Sequence, residues 1–278
     1  MEPYKKRGIR MKHKIVFFDM DGTLYQTEND VIQDSTIAAI QNLKEAGYIV
    51  AAATGRPLNQ MKLILQRLDF DYYVLINGGY ILDHDFNMIS ASPIKHDTLE
   101  SLVKLAQDQE YGLMLHFGDA TYIYNNFYPM YDFSKYCNVL DSLFYDPTQS
   151  FHKRHDAYNA VILTKNVQPL QDFMEDHEDL RSDLINVKTN GFCYDIFNVE
   201  NDKAHGIEMI LEREGLTWDD VIAFGDSTND TKMLEKADIG VAMGSASDYV
   251  KSFANFSTTD IQNHGIYNAL KKIMADED

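Results

Sequence analysis

The segment that constrains this chain most is a short apolar run that ends in two aspartates. It reads FFDMDGTL from Phe17 to Leu24, and it places Asp19 and Asp21 two residues apart, where a buried strand is about to reach the surface. Two neighbouring carboxylates repel each other, and burial disfavours their charged forms. Such a pair needs a cation, a shared proton or solvent water, and choosing among these decides much of the function.

The first part of the chain alternates predicted strands with predicted helices. Lys14–Phe18 is a short run that is apolar after its first residue, as is typical of a parallel strand covered on both faces. The segments YIVAAATGR and DYYVLINGG predict two further strands. We predict a helix from the capping residues Asp34 and Ser35 to Gly47, and another that begins at Pro57. This alternation predicts an α/β fold with a parallel sheet and right-handed crossovers.

The last part of the chain returns to the same alternation. A helix is predicted over Lys203–Glu214, with Gly215 at its end. The segments DDVIAFGDSTND, ADIGVAMG and YVKSFANFSTTD then complete the predicted sheet. We therefore predict a Rossmann-like parallel sheet core that is built from both ends of the chain, residues 1–91 and 191–278.

Between these parts the pattern changes to mixed strands and helices. We predict an inserted α+β cap domain at residues 92–190. Within it, Tyr111–Tyr145 contains eleven aromatic residues, which we predict to form mainly the core of this small domain. At the other end of the sequence, the basic segment Met1–Arg10 is predicted to be a flexible extension.

Several predicted strands end in small polar or acidic residues. These residues are Asp19, Asp21, Thr54, Asn77, Asp226, Asn229 and Asp230. Because parallel strands bring their carboxyl ends to one edge of a sheet, where ligands bind in open α/β folds, we expect these side chains to converge. Carboxylates in combination with water and a substrate phosphate are the ligands that Mg²⁺ prefers, so we predict Mg²⁺ as the cofactor.

The residue types at this edge also suit phosphoryl transfer. Asp19 is the candidate nucleophile, because an aspartate can carry a covalent phosphoryl group. Asp21 is placed to donate a proton to a leaving alcohol and then to accept one from water. Thr54 offers a hydroxyl and Lys203 a cation to the phosphoryl oxygens. Gly22 would let the backbone turn so that N–H groups face an anion.

The motifs DMDGTL, ATGR, Lys203 and GDSTND, in this order, resemble the four motifs of the haloacid dehalogenase superfamily. The segments INGG, GVAMGSA and NHGI further resemble its Cof-type sugar-phosphate phosphatases, and the resemblance extends from Lys14 to Met274. It implies a phosphatase that acts on small phosphate monoesters, such as sugar phosphates or phosphorylated cofactors, through an aspartyl-phosphate intermediate. An aspartate at position 21 is typical of the phosphatases and phosphomutases of this superfamily, and not of its dehalogenases.

The resemblance implies a role for each matching residue. Asp19 would be the nucleophile, and Asp21 the acid and base that binds Mg²⁺ through its backbone carbonyl. The implied metal ligands are Asp19, Asp21, Asp226 and Asp230. The predicted substrate contacts are Thr54, Gly55, Arg56, Asn77, Lys203 and Asn229. One departure from the family pattern is Ser227, which stands where many Cof-type members have asparagine.

The composition restricts the classes of molecule that the protein is expected to bind. With 25 basic and 43 acidic residues the formal charge is −18, which argues against nucleic-acid or membrane binding. Two cysteines make no disulfide framework, and no signal peptide or membrane-spanning run is visible. We therefore expect a cytoplasmic protein, a monomer or weak homodimer, whose partner is a small phosphorylated metabolite.

The motifs allow other interpretations. A calcium loop that starts at Asp19 would need Gly and Glu where Leu24 and Asp30 stand. A phosphomutase, or a non-catalytic protein that binds phosphorylated metabolites, remains open as an alternative function. The segment His152–His155 is predicted to be a solvated basic turn.

Overall fold

The structure is a computed structural model that describes residues 13–27, 29, 31–185 and 191–277, without the side chains of 276 and 277. The predicted extension Met1–Arg10 lies outside the described residues. The strands among them are β1 (Ile15–Phe18), β2 (Ile49–Ala53), β3 (Tyr72–Leu75), β4 (Tyr80–Asp83), β5 (Met88–Ala91), β6 (Gly112–His116), β7 (Thr121–Asn125), β8 (Leu143–Tyr145), β9 (Asn159–Thr164), β10 (Leu180–Ile185), β11 (Phe192–Asn198), β12 (Val221–Gly225), β13 (Ile239–Ala242) and β14 (Phe256–Ser257). The α-helices are α1 (Asp34–Ala46), α2 (Lys62–Leu65), α3 (His96–Asp108), α4 (Phe127–Tyr136), α5 (Gln168–Glu175), α6 (Lys203–Glu214), α7 (Thr231–Lys236), α8 (Asp248–Lys251) and α9 (Gly265–Glu277).

An eight-stranded sheet in the order β14-β13-β12-β1-β2-β3-β4-β5 forms the larger part of the fold. Strands β1 to β3 and β12 to β14 pair in parallel, whereas β4 runs antiparallel to β3. This confirms the predicted α/β class. Strands β2 to β5 lie on one side of β1 and β12 to β14 lie on the other, so the strand order reverses at β1. Ligands bind at such switch points in open α/β sheets, and Asp19 directly follows β1.

The central strand β1 is buried on both faces, which explains its continuous apolar sequence. All four of its residues have an exposed fraction of 0%. On one face Ile15 and Phe17 belong to a cluster that includes Ile207 and Ile210 of α6. Phe18 alternates with these, and its ring stacks on that of Phe224 in β12, with 5.0 Å between the ring centroids. Packing on both faces therefore fixes the position of β1 and of the carboxyl end from which Asp19 follows.

The predicted helix ends are largely confirmed. Helix α1 ends at Gly47, which adopts a left-handed conformation with φ of 96°, and α6 spans the predicted residues and ends at Gly215. The helix predicted from Pro57 onward is wrong. A 3₁₀ turn at Leu58–Gln60 is followed only by the four-residue α2. The side chain of Asn59 in this turn donates to the carbonyl oxygen of Ser142, and this tertiary contact favours the turn over a continuous helix.

The described residues form two compact units. The first contains the described residues up to Gly55, Leu63–Ile89 and the chain from Asp202 onward, and the second contains Arg56–Lys62 and Ser90–Asn201. The second unit therefore continues to Asn201, past the return point at 190 that the sequence suggests, because β11 pairs with β9 in its sheet. It also includes the 3₁₀ turn, where Asn59 Nδ2 donates to the carbonyl oxygen of Ser142 at 2.7 Å.

The second unit contains a six-stranded sheet in the order β10-β11-β9-β6-β7-β8. Its strands pair antiparallel except for β7 and β8, which are parallel. Leu99 and Leu170, from α3 and α5, pack on one apolar face, and Met130 and Phe133 of α4 pack with the other. The central strands β6 and β9 therefore alternate between two covered faces, whereas the edge strand β8 carries exposed aromatic side chains.

The aromatic segment of this unit contributes less to its core than predicted. Tyr111, Phe117 and Tyr124 are buried in the apolar cluster. Five others are exposed: Tyr128, Tyr131, Tyr136, Phe144 and Tyr145. The prediction that His152 belongs to a solvated turn is wrong, because its ring is buried against Tyr124, whose hydroxyl lies 3.1 Å from Nδ1. None of the helices formed by the described residues is long and apolar enough to cross a membrane.

The close packing of α6 on β3 predicts the effect of adding volume at Gly206. A Cβ atom there would lie 2.6 Å from Val74 Cγ1 and 3.0 Å from the Cα of Gly78. We expect Gly206→Val to lower the free energy of unfolding by about 1–3 kcal/mol, as overpacking does, measured by urea denaturation. The control is Gly215→Asn, because a Cβ at Gly215 meets nothing within 4 Å and asparagine tolerates its left-handed conformation. Equal stability of the two variants would contradict the packing argument.

Candidate active site

Asp19 stands at the carboxyl end of β1. Its backbone N–H donates to the carbonyl oxygen of Phe224 at 2.9 Å, so the residue continues the pairing with β12. The chain then turns around the carbonyl oxygen of Met20, which accepts the backbone N–H groups of Thr23, Leu24 and Tyr25. The side chain of Asp19 is buried. The strand and the turn therefore hold this carboxylate in one position.

Lys203 supplies the cation that Asp19 needs. It is the first residue of α6, whose start is fixed by the Asp202 side chain accepting the N–H of His205 at 2.7 Å. The Nζ of Lys203 donates to Asp19 Oδ1 at 2.6 Å and to Asp230 Oδ1 at 2.7 Å. All three side chains are buried. The bonds supply the partners without which a buried charge would be strongly destabilising.

Asp230 also organises the acidic loop that follows β12. Its Oδ2 accepts the backbone N–H groups of Asp226 and Ser227, both at 2.9 Å. The Ser227 side chain in turn accepts the N–H of Asp230, so the two residues form a capping box. Serine is suited to this capping role, and the departure from the family asparagine at 227 leaves the loop intact.

Gly22 lets the turn after β1 approach the acidic loop. A Cβ atom at this position would lie 2.3 Å from Asp226 Oδ2, and the residue has a φ of 83° that favours glycine. Its N–H donates to the carbonyl oxygen of Tyr25 at 3.0 Å. This N–H is therefore used within the turn, and the expectation that Gly22 lets nearby N–H groups face an anion stays a prediction. Its role in the structure is to make room for Asp226.

The site carries more negative charge than it can neutralise by itself. Burial, followed by the charge of Asp230, raises the pKa of Asp19 well above its ordinary value, although Lys203 opposes this. Burial and Asp230 likewise raise the pKa of Asp226 to about 7. Burial alone would lower the pKa of Lys203, but the charges of Asp19 and Asp230 outweigh it and raise that pKa. One ammonium therefore stabilises a group of carboxylates that disfavour one another's ionisation.

The oxygens of this group fit a divalent cation. Asp19, Asp226 and Asp230 each place a carboxylate oxygen within 4.8 Å of the others. The Oδ2 of Asp19 and the Oδ1 of Asp226 are buried, and neither has a hydrogen-bond partner in the described part of the chain. Buried polar atoms without a partner are rare in folded proteins. Hard oxygen ligands with excess negative charge are those that Mg²⁺ prefers.

Asp21 lies in a more open environment than Asp19. It is half-buried, and its Oδ1 accepts a hydrogen bond from the hydroxyl of Thr27 at 2.6 Å. Backbone contacts with Tyr25 hold its position in the turn. A carboxyl group that is oriented by a hydroxyl and reachable from solvent can exchange its proton with water, as an acid and base must.

The ends of β2 and β3 meet beside this group. The N–H of Thr54 donates to the carbonyl oxygen of Val74 at 2.8 Å, and the N–H of Asn77 donates to the carbonyl oxygen of Thr54 at 3.0 Å. Asn229 Nδ2 donates to Asn77 Oδ1 at 2.9 Å and thereby links β3 to the acidic loop. A Cβ at Gly55 would lie only 3.4 Å from the Asn77 amide. The structure thus brings these four predicted residues together.

Arg56 is the one predicted site residue that belongs to the second unit. Its Nη1 donates to the carbonyl oxygen of Gln60 at 3.1 Å, which ties the side chain to its own 3₁₀ turn. Its predicted contact with substrate stays a prediction.

Sequence reasoning missed Thr23 and Thr27. Thr23 is fully buried, and its hydroxyl has no hydrogen-bond partner within the described ranges. Thr27 orients Asp21, six residues before it. Isolated threonines in a loop carry no periodic signal, because only the path of the turn decides which of them meets a carboxylate.

Comparison with known proteins finds a family that matches most of the chain. The family profile of the haloacid dehalogenase-like hydrolases matches residues 16–270. The pyridoxal phosphate phosphatase YbhA of Escherichia coli (strain K12) is 29% identical over 276 residues, which cover 94% of this chain and 100% of the relative. The 5-amino-6-(5-phospho-D-ribitylamino)uracil phosphatase YitU of Bacillus subtilis (strain 168) is 26% identical over 292 residues, which cover 94% and 97%.

A solved structure has the same fold. The crystal structure of a hypothetical protein from Geobacillus kaustophilus HTA426 superposes with a TM-score of 0.83 at 30% sequence identity. The match covers 94% of this chain and 98% of that one. The likeness therefore extends over both compact units and is not confined to the sheet that carries the acidic residues.

The raised pKa of Asp226 predicts a pH-dependent effect of Asp226→Asn in the metal-free protein. Because the folded pKa, about 7, lies above the ordinary value, ionisation of Asp226 favours the unfolded state as pH rises. We expect the melting temperature of Asp226→Asn to exceed that of wild type by a margin that grows between about pH 4 and pH 7 and is constant above it. Thermal melting in EDTA at pH 4.5, 6 and 8 measures this. The exposed residue Asp219, as Asp219→Asn, is the control, and a margin independent of pH would contradict the argument.

Proposed function

Because the chain belongs to the haloacid dehalogenase-like hydrolases, we propose that it is a Mg²⁺-dependent phosphatase that hydrolyses small phosphate monoesters through an aspartyl-phosphate on Asp19. The observation that carries this proposal is the state of the Asp19 carboxylate. One of its oxygens is held by Lys203 at 2.6 Å, and the other is buried without a partner among the described residues. A carboxylate held in place with one free oxygen is suited to nucleophilic attack.

In the first step a free oxygen of Asp19 forms a bond to phosphorus, and the bond between phosphorus and the ester oxygen breaks. Asp21 donates its proton to the departing oxygen, which leaves as an alcohol. In the second step Asp21 accepts a proton from water as the water oxygen attacks phosphorus. Inorganic phosphate leaves, and the Asp19 carboxylate is restored.

The other residues of the site position the phosphoryl group and balance its charge. Lys203 keeps Asp19 oriented and presents a positive charge beside the reacting oxygen. Thr54, fixed by backbone bonds on both sides, offers its hydroxyl to a phosphoryl oxygen. Such positioning and charge stabilisation make up most of the catalysis of phosphoryl transfer.

For the metal, we propose Asp19 and Asp226 as side-chain ligands and Asp21 as a backbone ligand. When bound, Mg²⁺ would offset the excess negative charge of the carboxylates and of the phosphate. Both oxygens of Asp230 already accept hydrogen bonds, from Lys203 and from the acidic loop. We therefore propose that Asp230, predicted as a ligand from the sequence, acts mainly by holding Lys203 and Asp226.

The substrate is proposed to be a small phosphorylated metabolite, either a sugar phosphate or a phosphorylated cofactor. The named relatives YbhA and YitU are phosphatases of pyridoxal phosphate and of a phosphoribitylamino uracil, which support this class. A phosphomutase, which would return the phosphoryl group to the sugar, is distinguished by whether phosphate appears in solution. A non-catalytic binding protein is disfavoured by the complete set of reacting residues, and turnover tests it directly.

Replacing the nucleophile tests the proposed reaction. We expect Asp19→Asn to reduce phosphate release from sugar phosphates and from p-nitrophenyl phosphate by at least about a thousandfold, because a neutral amide is a far weaker nucleophile than a carboxylate. EDTA should abolish the wild-type activity, and Mg²⁺ should restore it. The exposed residue Asp85, as Asp85→Asn, is the matched control and should keep wild-type activity. Activity that survives in purified Asp19→Asn would overturn the assignment of the nucleophile.

Metal binding is tested separately from activity by thermal melting. A ligand that binds only the folded state stabilises it in proportion to the logarithm of its concentration. We therefore expect MgCl₂ in the millimolar range to raise the melting temperature of wild type, with a much smaller rise for Asp226→Asn, which lacks one proposed ligand charge. Titration at constant ionic strength removes general salt effects. An equal rise for both proteins would exclude Asp226 as a ligand.

A further inference from the structure

A cavity of about 650 Å³ lies within the second unit, where α4 and the loop that follows β9 both contribute to its walls. Its volume falls in the range of about 300–1,000 Å³ that is typical of sites for small organic molecules. None of its lining residues belongs to the first unit, which carries the proposed phosphoryl site. We call it the α4 cavity, and the lining residues that decide its chemistry are Glu110, Asn126, Tyr128, Asp132, Tyr136 and Lys165.

One side of α4 faces into the cavity. Tyr128, Asp132 and Tyr136 follow one another at intervals of four residues, which places them along the same side of the helix. The two tyrosines are exposed, with exposed fractions of 79% and 57%. The carboxylate of Asp132 makes no hydrogen bond or ion pair with another described residue. The cavity therefore presents two tyrosine rings with an uncompensated negative charge between them.

Hydrogen bonds around the cavity hold its walls in place. The Nδ2 of Asn126, just before α4, donates to the carbonyl oxygen of Glu110, just after α3. On the opposite wall the hydroxyl of Tyr111 donates to the carbonyl oxygen of Asn166 at 2.8 Å. The N–H of Asn166 donates to Thr164 Oγ1 at 3.0 Å, which fixes the loop after β9. A ligand would not have to order these walls, and binding avoids that entropic cost.

The lining favours a positively charged ligand. Glu110 and Asp132 carry carboxylates, whereas Lys165 is the one cation among the described residues that line the cavity. Lys165 is exposed, so its ammonium can stay in water. The faces of tyrosine rings carry partial negative charge, which attracts ammonium and guanidinium groups. An anion would meet these ring faces and two carboxylates, and a neutral molecule would gain nothing from the charge of Asp132.

We propose that the α4 cavity binds an organic cation, an amine or guanidine with an apolar body, whose charged group lies beside Tyr128, Asp132 and Tyr136. The rings contact the hydrocarbon groups next to the positive charge, and the carboxylate balances that charge. A bare metal ion is a poorer match, because aromatic rings supply none of the oxygen ligands that it needs. This site is separate from the proposed phosphatase activity, since the cavity and the phosphoryl site share no residue.

Three probes that share a benzyl group but differ in charge test the proposal. They are benzyltrimethylammonium, benzyl alcohol and phenylacetate, and binding to the full chain is followed by ligand-observed NMR titration at constant ionic strength. We expect the cation to bind wild type at least about tenfold more tightly than benzyl alcohol does, because two rings and a carboxylate act on its charge. Phenylacetate should bind most weakly.

Two matched pairs of variants locate the site. Asp132→Asn should weaken binding of the cation by about two- to fivefold, whereas Asp141→Asn, which removes an exposed carboxylate outside the cavity lining, should not. Tyr136→Leu should also weaken it by about two- to fivefold, because the substitution removes a ring face and keeps an apolar side chain. Its control is Tyr131→Leu, since Tyr131 is an exposed tyrosine of the same helix that does not line the cavity.

Three outcomes would overturn the proposal. The substituted side chains are all exposed, so we expect the four variants to melt at the wild-type temperature, and a loss of binding then reports on the site and not on the fold. Equal affinity for the cation and for benzyl alcohol would exclude a cation site. An equal loss in Asp132→Asn and Asp141→Asn would show that only the overall charge of −18 attracts the probe. Probe affinity that falls as protein concentration rises would show that a second copy of the chain fills the cavity instead.

Discussion

Lys203 places its ammonium between the carboxylates of Asp19 and Asp230, and the rest of the site depends on these two contacts. Without the ammonium, three carboxylates would share a buried space and could not all ionise. With it, one oxygen of Asp19 is held and the other stays free, and Asp230 can organise the loop that carries Asp226. The same interaction therefore stabilises the fold locally and leaves the site short of positive charge, which is the condition for binding a divalent cation.

The parallel sheet makes this interaction possible. Asp19 follows β1 and Asp230 follows the neighbouring β12, so two residues far apart in sequence emerge side by side. Lys203 enters from the start of α6, whose close contact with β3 at Gly206 sets the distance of the helix from the sheet. Gly22 lets the turn after β1 lie against Asp226, because any side chain at this position would overlap the Asp226 carboxylate. The contact of Lys203 with Asp19 and Asp230 therefore depends on the charges, on the strand order and on the space that Gly22 and Gly206 leave.

Buried polar atoms without a protein partner occur in each of the two units. In the first they are carboxylate oxygens of Asp19 and Asp226, which suit a metal. In the second they include both ring nitrogens of His116, whose pKa is lowered by burial to about 4, and the Oδ1 of Asn159. Such atoms cost stability, because the hydrogen bonds that they would make with water are lost on burial.

The sequence alone determined what depends on local pattern. Apolar runs, glycine stops and the acidic residues that follow strands predicted the α/β class, the ends of α1 and α6, and the group around Asp19, because burial and capping act over a few residues. It did not reveal the broken helix after Pro57, the bond from Thr27 to Asp21, or the pairing of His116 in β6 with Asn159 in β9. Only the tertiary structure decided these, since they depend on the registers of strands and the paths of turns that bring distant residues together. Which oxygen of a carboxylate is bonded and which is free belongs to the same class, because it depends on contacts between elements that no local pattern specifies.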